Sequence, residues 1–174
     1  MIEKQRADTT KNWYALYVKS RHEFIAFSGL IRKGTEAFLP SIKRFKQWKD
    51  RRKLVEFPLF PGYLFVHIQP NPEEFLNVLK SGGVVSFVSL TPGYPTPVPF
   101  SEVTSLKLMV ESGKELNIYS SLEEGSSVMV KRGPLKGAEG ILTKKDDQSM
   151  FLVNIKLLGR SIGVKIHADD LEVM

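Results

Sequence analysis

The sequence predicts an α+β fold, with an N-terminal antiparallel sheet flanked by three helices and a small C-terminal β-barrel of five strands. Residues 13–112 mix apolar alternation of period two with helical spacing. Residues 122–174 contain only short alternating runs separated by glycine-containing turns, which favours an all-β domain. The short polar segment 113–121 is predicted to be a linker of the two domains, and residues 1–12 a flexible tail.

The first helix has the clearest start signal. Ser20 and Glu23 have the spacing of a capping box, in which Ser20 is the N-cap and Glu23 reaches back to its amide. An apolar helix face is then predicted at Phe24, Phe27 and Ile31. A capping Asn-Pro pair at 71–72 predicts the start of the second helix, and Ser101 is predicted to cap the third.

An aromatic run, PLFPGYLFV at 58–66, leads from a Pro-Gly turn into a strand. Alternation places Tyr63, Phe65 and His67 on one face of this strand. The opposite face is aliphatic and suits a core, with Leu64, Val66 and Ile68. Two interpretations of the aromatic face stay open, a sheet packed on both sides and a binding surface.

The positive charge is concentrated in one segment. Residues 43–53 hold seven cations against Asp50 alone, and so account for the whole net charge of +6. With Phe45 and Trp48 interleaved, this pattern is typical of a surface that binds nucleic acid, although a solvated hairpin tip is the simpler alternative. The candidate nucleic-acid residues here are Lys43, Arg44, Lys46, Trp48, Lys49, Arg51, Arg52 and Lys53.

Signals for catalysis are missing. The chain has no cysteine, and its three histidines are far apart in sequence without metal-ligand spacing. No nucleophile elbow, zinc-protease motif or phosphate loop occurs. We therefore expect no enzyme, no metal and no cofactor. No apolar run is long enough for a membrane span and no signal peptide is visible, so a cytoplasmic protein is expected.

Three motifs in order resemble the NusG family of transcription elongation factors. They are Trp13-Tyr14 opening a strand, the turn Phe60-Pro61-Gly62-Tyr63, and the stretch from Gly125 to Gly140, which is similar to a KOW motif. The resemblance implies that the barrel is SH3-like and covers 122–174. The short N-terminal domain and the Pro58-Leu59-Phe60-Pro61 segment are more similar to specialised paralogues, including RfaH and polysaccharide-operon antiterminators, than to housekeeping NusG.

The resemblance implies a partner for the aromatic face. In the family, the N-terminal domain binds the clamp helices of the largest RNA polymerase subunit, which suppresses pausing or termination. The matching positions in this sequence are Tyr17, Phe60, Tyr63 and Phe65. Trp13 also matches a family position, but we expect it to be partly core.

The resemblance also implies contact with the non-template DNA strand of the transcription bubble. Lys19 fits that role by position, whereas Ile25 and Gly29 stand where polar or basic residues would be expected. Sequence-specific reading is therefore not predicted, and the basic hairpin is expected to make nonspecific, salt-dependent contacts instead.

The C-terminal domain resembles the part of NusG that binds the ribosomal protein NusE or Rho. Leu157, Leu158 and Arg160 match that patch, with NusE the more plausible partner and Rho the weaker one. We expect a monomer whose barrel has nothing packed over it. The alternative function is a translation-associated KOW-type RNA-binding protein, which the neutral charge of 113–174 disfavours.

Overall fold

The computed structural model describes residues 10–120, 125–145 and 147–174, and the chain divides into two compact units. Unit 1 comprises Met1–Leu39 and Gly62–Pro97, and unit 2 comprises Pro40–Pro61 and Val98–Met174. The predicted tail lies outside the described residues as far as residue 9. The predicted domain boundaries stay a prediction, since the segments 40–61 and 98–112 belong to the same unit as the C-terminal strands.

Three helices and antiparallel sheets confirm the predicted α+β class. The elements, in chain order, are β1 Asn12–Val18, α1 Glu23–Arg32, β2 Glu36–Phe38, β3 Ser41–Gln47, β4 Arg52–Pro58, β5 Tyr63–Ile68, α2 Pro72–Leu79, β6 Val84–Phe87, β7 Pro97–Val98, α3 Phe100–Glu111, β8 Asn117–Ser120, β9 Ser126–Val130, β10 Glu139–Lys145, β11 Gln148–Ile155, a 3-10 helix Lys156–Leu158, β12 Arg160–Lys165, a 3-10 helix Ala168–Asp170, and β13 Leu171–Val173.

Unit 1 is built on a sheet in the strand order β2-β5-β1-β6. Strands β1 and β5 are antiparallel, with Leu16 opposite Leu64 and Tyr14 opposite Val66. These side chains form the core together with Ala26 of α1, which confirms the aliphatic face predicted for β5. At the start of α2, Asn71 caps the helix as predicted, since its side-chain oxygen accepts a hydrogen bond from the Glu74 amide at 2.8 Å.

Helix α1 buries a different face from the predicted one. Its buried apolar residues are Ala26 and Leu30, whereas Phe24 and Ile31 are exposed and Phe27 packs on the edge of the core. Ala26 lies close to Gly83 on this buried face, since a Cβ added to Gly83 would be 3.4 Å from the Ala26 Cβ.

The predicted serine caps are both wrong. Helix α1 begins at Glu23, with His22 in the N-cap position and no side-chain cap, because Arg21 takes a left-handed backbone conformation (φ 62°) that separates Ser20 from the helix. Ser101 lies inside α3, which begins at Phe100 and also has no side-chain cap. Both helices owe their position to packing rather than to a local cap.

Unit 2 contains a six-stranded antiparallel sheet in the order β13-β9-β10-β11-β12-β8. Five of these strands, β9 to β13, lie in the segment predicted to form the five-stranded domain. The sixth, β8, comes from the predicted linker, where Ile118 pairs with Ile162 of β12. The segment predicted as a linker therefore contains a strand of four residues, Asn117–Ser120, and its role as a linker stays a prediction.

Helix α3 packs against β10, β11 and β12 within unit 2. Its Ser105 hydroxyl accepts a hydrogen bond from the Glu139 amide at 2.9 Å, and Leu106 and Met109 are fully buried. Strand β11 is consequently buried on both faces from Met150 to Ile155. The expectation that nothing packs over this sheet is wrong.

Candidate binding surfaces

The aromatic face of unit 1 is centred on a pair of tyrosines. Tyr17 of β1 lies directly opposite Tyr63 of β5, and their ring centroids are 5.6 Å apart with the planes tilted by 55°. Tyr17 is 45% exposed and Tyr63 is half-buried, so both reach solvent. Each offers a stiff apolar ring with a hydroxyl at its tip, which suits a protein interface.

The two phenylalanines of the predicted clamp set are buried. Phe65 is fully buried and stacks on Phe38 at 6.2 Å between ring centroids, and Phe60 is 3% exposed. Trp13 is also buried and stacks on His67, whose Nδ1 lies 2.7 Å from a Glu36 carboxylate oxygen. Each interpretation of the aromatic face thus holds for part of it. The phenylalanines form a second packed surface, and the tyrosines form an open surface.

A buried carboxylate holds the turn before Tyr63 in place. Glu23, 6% exposed, accepts a hydrogen bond from the Gly62 amide at 2.9 Å, while the Gly62 carbonyl accepts one from the Val18 amide at 2.8 Å. Gly62 has a φ of 87°, and a Cβ there would lie 3.5 Å from the Tyr17 ring. The turn therefore favours glycine, and Glu23 positions the tyrosine surface instead of capping its own helix.

The sequence interpretation missed this role of Glu23. The signal was present, because Glu23 precedes Ala26 and Leu30 at the i, i+3, i+7 spacing of the buried helix face. Near the same turn, Lys19 is exposed, and its contact with nucleic acid stays a prediction. Ile25 is 58% exposed and adds an apolar residue to the surface of α1.

The basic segment forms a two-stranded ribbon of β3 and β4, and the eight predicted nucleic-acid residues in it are exposed. Residues that pair across an antiparallel ribbon point to the same side, so the register defines two faces. The Lys46 face carries Ile42, Arg44, Lys46, Lys53, Val55 and Phe57. The Phe45 face carries Ser41, Lys43, Phe45, Gln47, Arg52, Leu54, Glu56 and Pro58.

The predicted partner patch of the C-terminal sheet lies where β11 ends. Leu157 and Leu158 are half-buried in a 3-10 helix rather than in a strand, and Arg160 is exposed. Gly159 between them has a left-handed backbone (φ 62°) that turns the chain into β12. Leucine side chains and a cation are thus brought together on one short loop.

Helix α3 contacts the same loop. The Glu102 carboxylate accepts a hydrogen bond from the Lys156 amide at 3.3 Å. Burial raises the pKa of Glu102 above its ordinary value, and the Lys156 amide and charge lower it in part. Ionisation of Glu102 in the folded protein therefore costs free energy of folding. The carboxylate lies next to the loop that carries Leu157.

The described ranges meet neither the requirements of a metal site nor those of a membrane-spanning helix. Within them, no three side chains of His, Asp or Glu are grouped so that they could hold a metal ion. No helix in this part of the chain is long and apolar enough to cross a membrane. The surfaces described above are a tyrosine pair, a basic ribbon and a leucine-bearing loop, and their exposed and half-buried aromatic, charged and apolar side chains suit binding.

Comparisons with known proteins agree with this arrangement. A family model described as "NusG: Transcription termination factor nusG" matches residues 11–107, more than half of the chain. A "Transcription termination/antitermination protein NusG" of Chlamydia trachomatis is 29% identical over 171 residues, covering 92% of this chain and 91% of the relative. The protein of the same name from Buchnera aphidicola is 25% identical over 167 residues, covering 90% and 92%.

A similar fold occurs among solved structures. The structure described as "Domain interaction in Thermotoga maritima NusG" matches with a TM-score of 0.50 and 23% identity, covering 94% of this chain and 97% of that one. At that identity the match supports the fold alone.

Proposed function

Because the chain belongs to the NusG family, we propose that it is a transcription elongation and antitermination factor that binds RNA polymerase. Binding requires no catalytic group, only a higher affinity for the closed, elongating state of the polymerase than for its paused state. The protein then acts in the cytoplasm as a monomer. The short N-terminal domain and the Pro58-Leu59-Phe60-Pro61 segment support a specialised, RfaH-like role within the family.

The observation that carries the proposal is the exposed pair Tyr17 and Tyr63. Tyrosines on a rigid sheet lose little conformational entropy on binding, and they are enriched among interface residues that dominate affinity. In the proposed complex the pair contacts the clamp helices of the largest polymerase subunit. Phe60 and Phe65 are buried and support the fold beneath this surface instead of contacting the polymerase directly.

Two further contacts complete the proposed function. The basic ribbon and Lys19 contact nucleic acid of the transcription bubble, for which their exposure and charge are suited. The loop with Leu157, Leu158 and Arg160 contacts the ribosomal protein NusE or, less strongly, Rho. Since α3 packs beside this loop, part of the proposed patch is shared with an internal contact.

The test compares tyrosine variants for binding to core RNA polymerase. Tyr17→Ala and Tyr63→Ala should each weaken binding by about 1–3 kcal/mol, the usual effect of truncating a dominant interface residue. Tyr94→Ala is the matched control, because Tyr94 is 72% exposed but lies outside the β1–β5 pair. Phe60→Ala is unsuited, since loss of a buried ring destabilises the fold itself.

Affinity should be measured by fluorescence anisotropy of the labelled full-length protein titrated with core polymerase. Unchanged affinity in the folded double variant Tyr17→Ala with Tyr63→Ala would remove the tyrosine pair from the interface. An equal loss in Tyr94→Ala would show that the effect is not specific to this surface.

A further inference from the structure

The Phe45 face of the ribbon carries an acid beside its cations. Lys43 lies directly opposite Glu56 across the two strands, and the Glu56 carboxylate accepts a hydrogen bond from the Ser41 hydroxyl. The Arg52 guanidinium lies 4.9 Å from the centre of the Phe45 ring, a cation–π contact. This face therefore attracts an external anion less strongly than a face that carries cations alone.

The Lys46 face has the opposite character. Lys46 and Lys53 lie directly opposite each other, and neither strand places an acid on this face. Like charges in directly opposed positions destabilise an antiparallel pair, because their Cβ atoms are about 5 Å apart. A polyanion bound between the two ammonium groups would remove that repulsion. The arrangement is therefore better explained by a ligand than by folding.

An exposed aromatic lies at the end of the same face. Trp48 follows Lys46 by two residues, so the alternation of the strand continues to it, and its amide donates to the Arg51 carbonyl at 2.8 Å. The pairing thus extends to the tip, where Trp48 is 50% exposed. An indole stacks on unpaired bases, whereas the bases of a duplex are already stacked on one another.

We propose that a single-stranded nucleic acid binds along the Lys46 face, with phosphates at Lys46 and Lys53 and a base stacked on Trp48. The inference deepens the proposed nucleic-acid contact of the ribbon and rests on it. It places the ligand on the face of the ribbon opposite Lys43 and Arg52. Both DNA and RNA strands carry the phosphates and bases that this face recognises.

Two double variants of the full-length protein remove equal charge from the same ribbon. Lys46→Gln with Lys53→Gln should weaken binding to a thymidine or uridine oligomer of about 12 nucleotides roughly tenfold at low salt, and reduce the salt slope by about 1.4. Lys43→Gln with Arg52→Gln, on the opposite face of the ribbon, should weaken binding by a clearly smaller factor, because it lowers the overall positive charge without removing a phosphate contact. Trp48→Ala should weaken binding about five- to hundredfold and leave the salt slope unchanged.

Lys53→Glu separates binding from folding. It places opposite charges across the strands, so the melting temperature should stay the same or rise while the affinity for the oligomer falls. Equal losses in both double variants would overturn the face assignment. Equal affinity for a duplex, with no effect of Trp48→Ala, would overturn the single-strand assignment.

The same titrations test the contact on which this inference rests. Wild-type protein that binds neither oligomer would overturn the nucleic-acid contact of the ribbon, and with it the inference, but would leave the polymerase surface of unit 1 standing. A preference for one oligomer would support the inference and identify whether DNA or RNA supplies the strand.

Discussion

Single residues show where local sequence patterns are ambiguous. A glutamate three residues after a serine predicts a capping box, yet Glu23 turns inward and binds the Gly62 amide 39 positions away. Local spacing cannot distinguish these outcomes, because a carboxylate accepts any nearby amide and the fold decides which amide is near. The same limit applies to Phe60 and Phe65, whose aromatic character left a packed face and a binding surface both open and whose surface role was implied by the resemblance alone, whereas both are buried.

At the residue scale, Glu102 should make stability depend on pH. Its raised pKa means that, between its ordinary pKa and its folded-state pKa, the folded protein binds more protons than the unfolded chain. The free energy of unfolding should therefore fall as pH rises through that window. Glu102→Gln keeps an acceptor for the Lys156 amide and removes the titration.

Urea unfolding of wild type and Glu102→Gln between about pH 4 and pH 7 measures this effect. The variant should gain stability relative to wild type as the pH rises, with the difference constant once Glu102 is fully ionised. Parallel pH profiles for the two proteins would show that burial does not penalise the Glu102 carboxylate.

Strands with clear alternation were predicted correctly, whereas the buried face of α1 and the elements set by tertiary contacts were not. Alternation predicted the core face of β5 and the five strands β9–β13. It missed β8, whose four residues carry too little pattern, and it missed the packing of α3 on β11. Both involve partners far along the chain, which no window of sequence can reveal.

At the element scale, the C-terminal strands should depend on α3 and β8. A fragment of residues 98–174 keeps both elements, whereas a fragment of 122–174 exposes the outer face of β11 and leaves β12 without β8. The shorter fragment should unfold with a free energy lower by at least about 2 kcal/mol, roughly the loss of one buried apolar side chain.

Urea denaturation followed by circular dichroism compares the two fragments. Matching midpoints and slopes would mean that the helix contributes nothing to the stability of the sheet, and that its packing against β11 is weak in solution.

For the whole molecule, sequence order was more informative than any single motif. Each motif alone is common, but their succession over nearly the full chain indicated the family that the match to residues 11–107 shows. The charge pattern also sets one segment apart from the rest of the chain. The net charge of residues 43–53 equals the net charge of the whole chain, +6. What the order of motifs could not predict is which residues of each surface stay exposed, because burial is a property of the folded chain.

The central claim is that this protein acts on elongating RNA polymerase through a surface that includes Tyr17 and Tyr63. The most direct measurement is a single-round transcription assay with purified core polymerase, in which pause lifetimes and read-through are followed with added wild-type protein. Wild type should shorten pauses or increase read-through, and Tyr17→Ala with Tyr63→Ala should lose the effect at the same concentration. Unaltered elongation at concentrations that saturate binding, or an equally active double variant, would contradict the account.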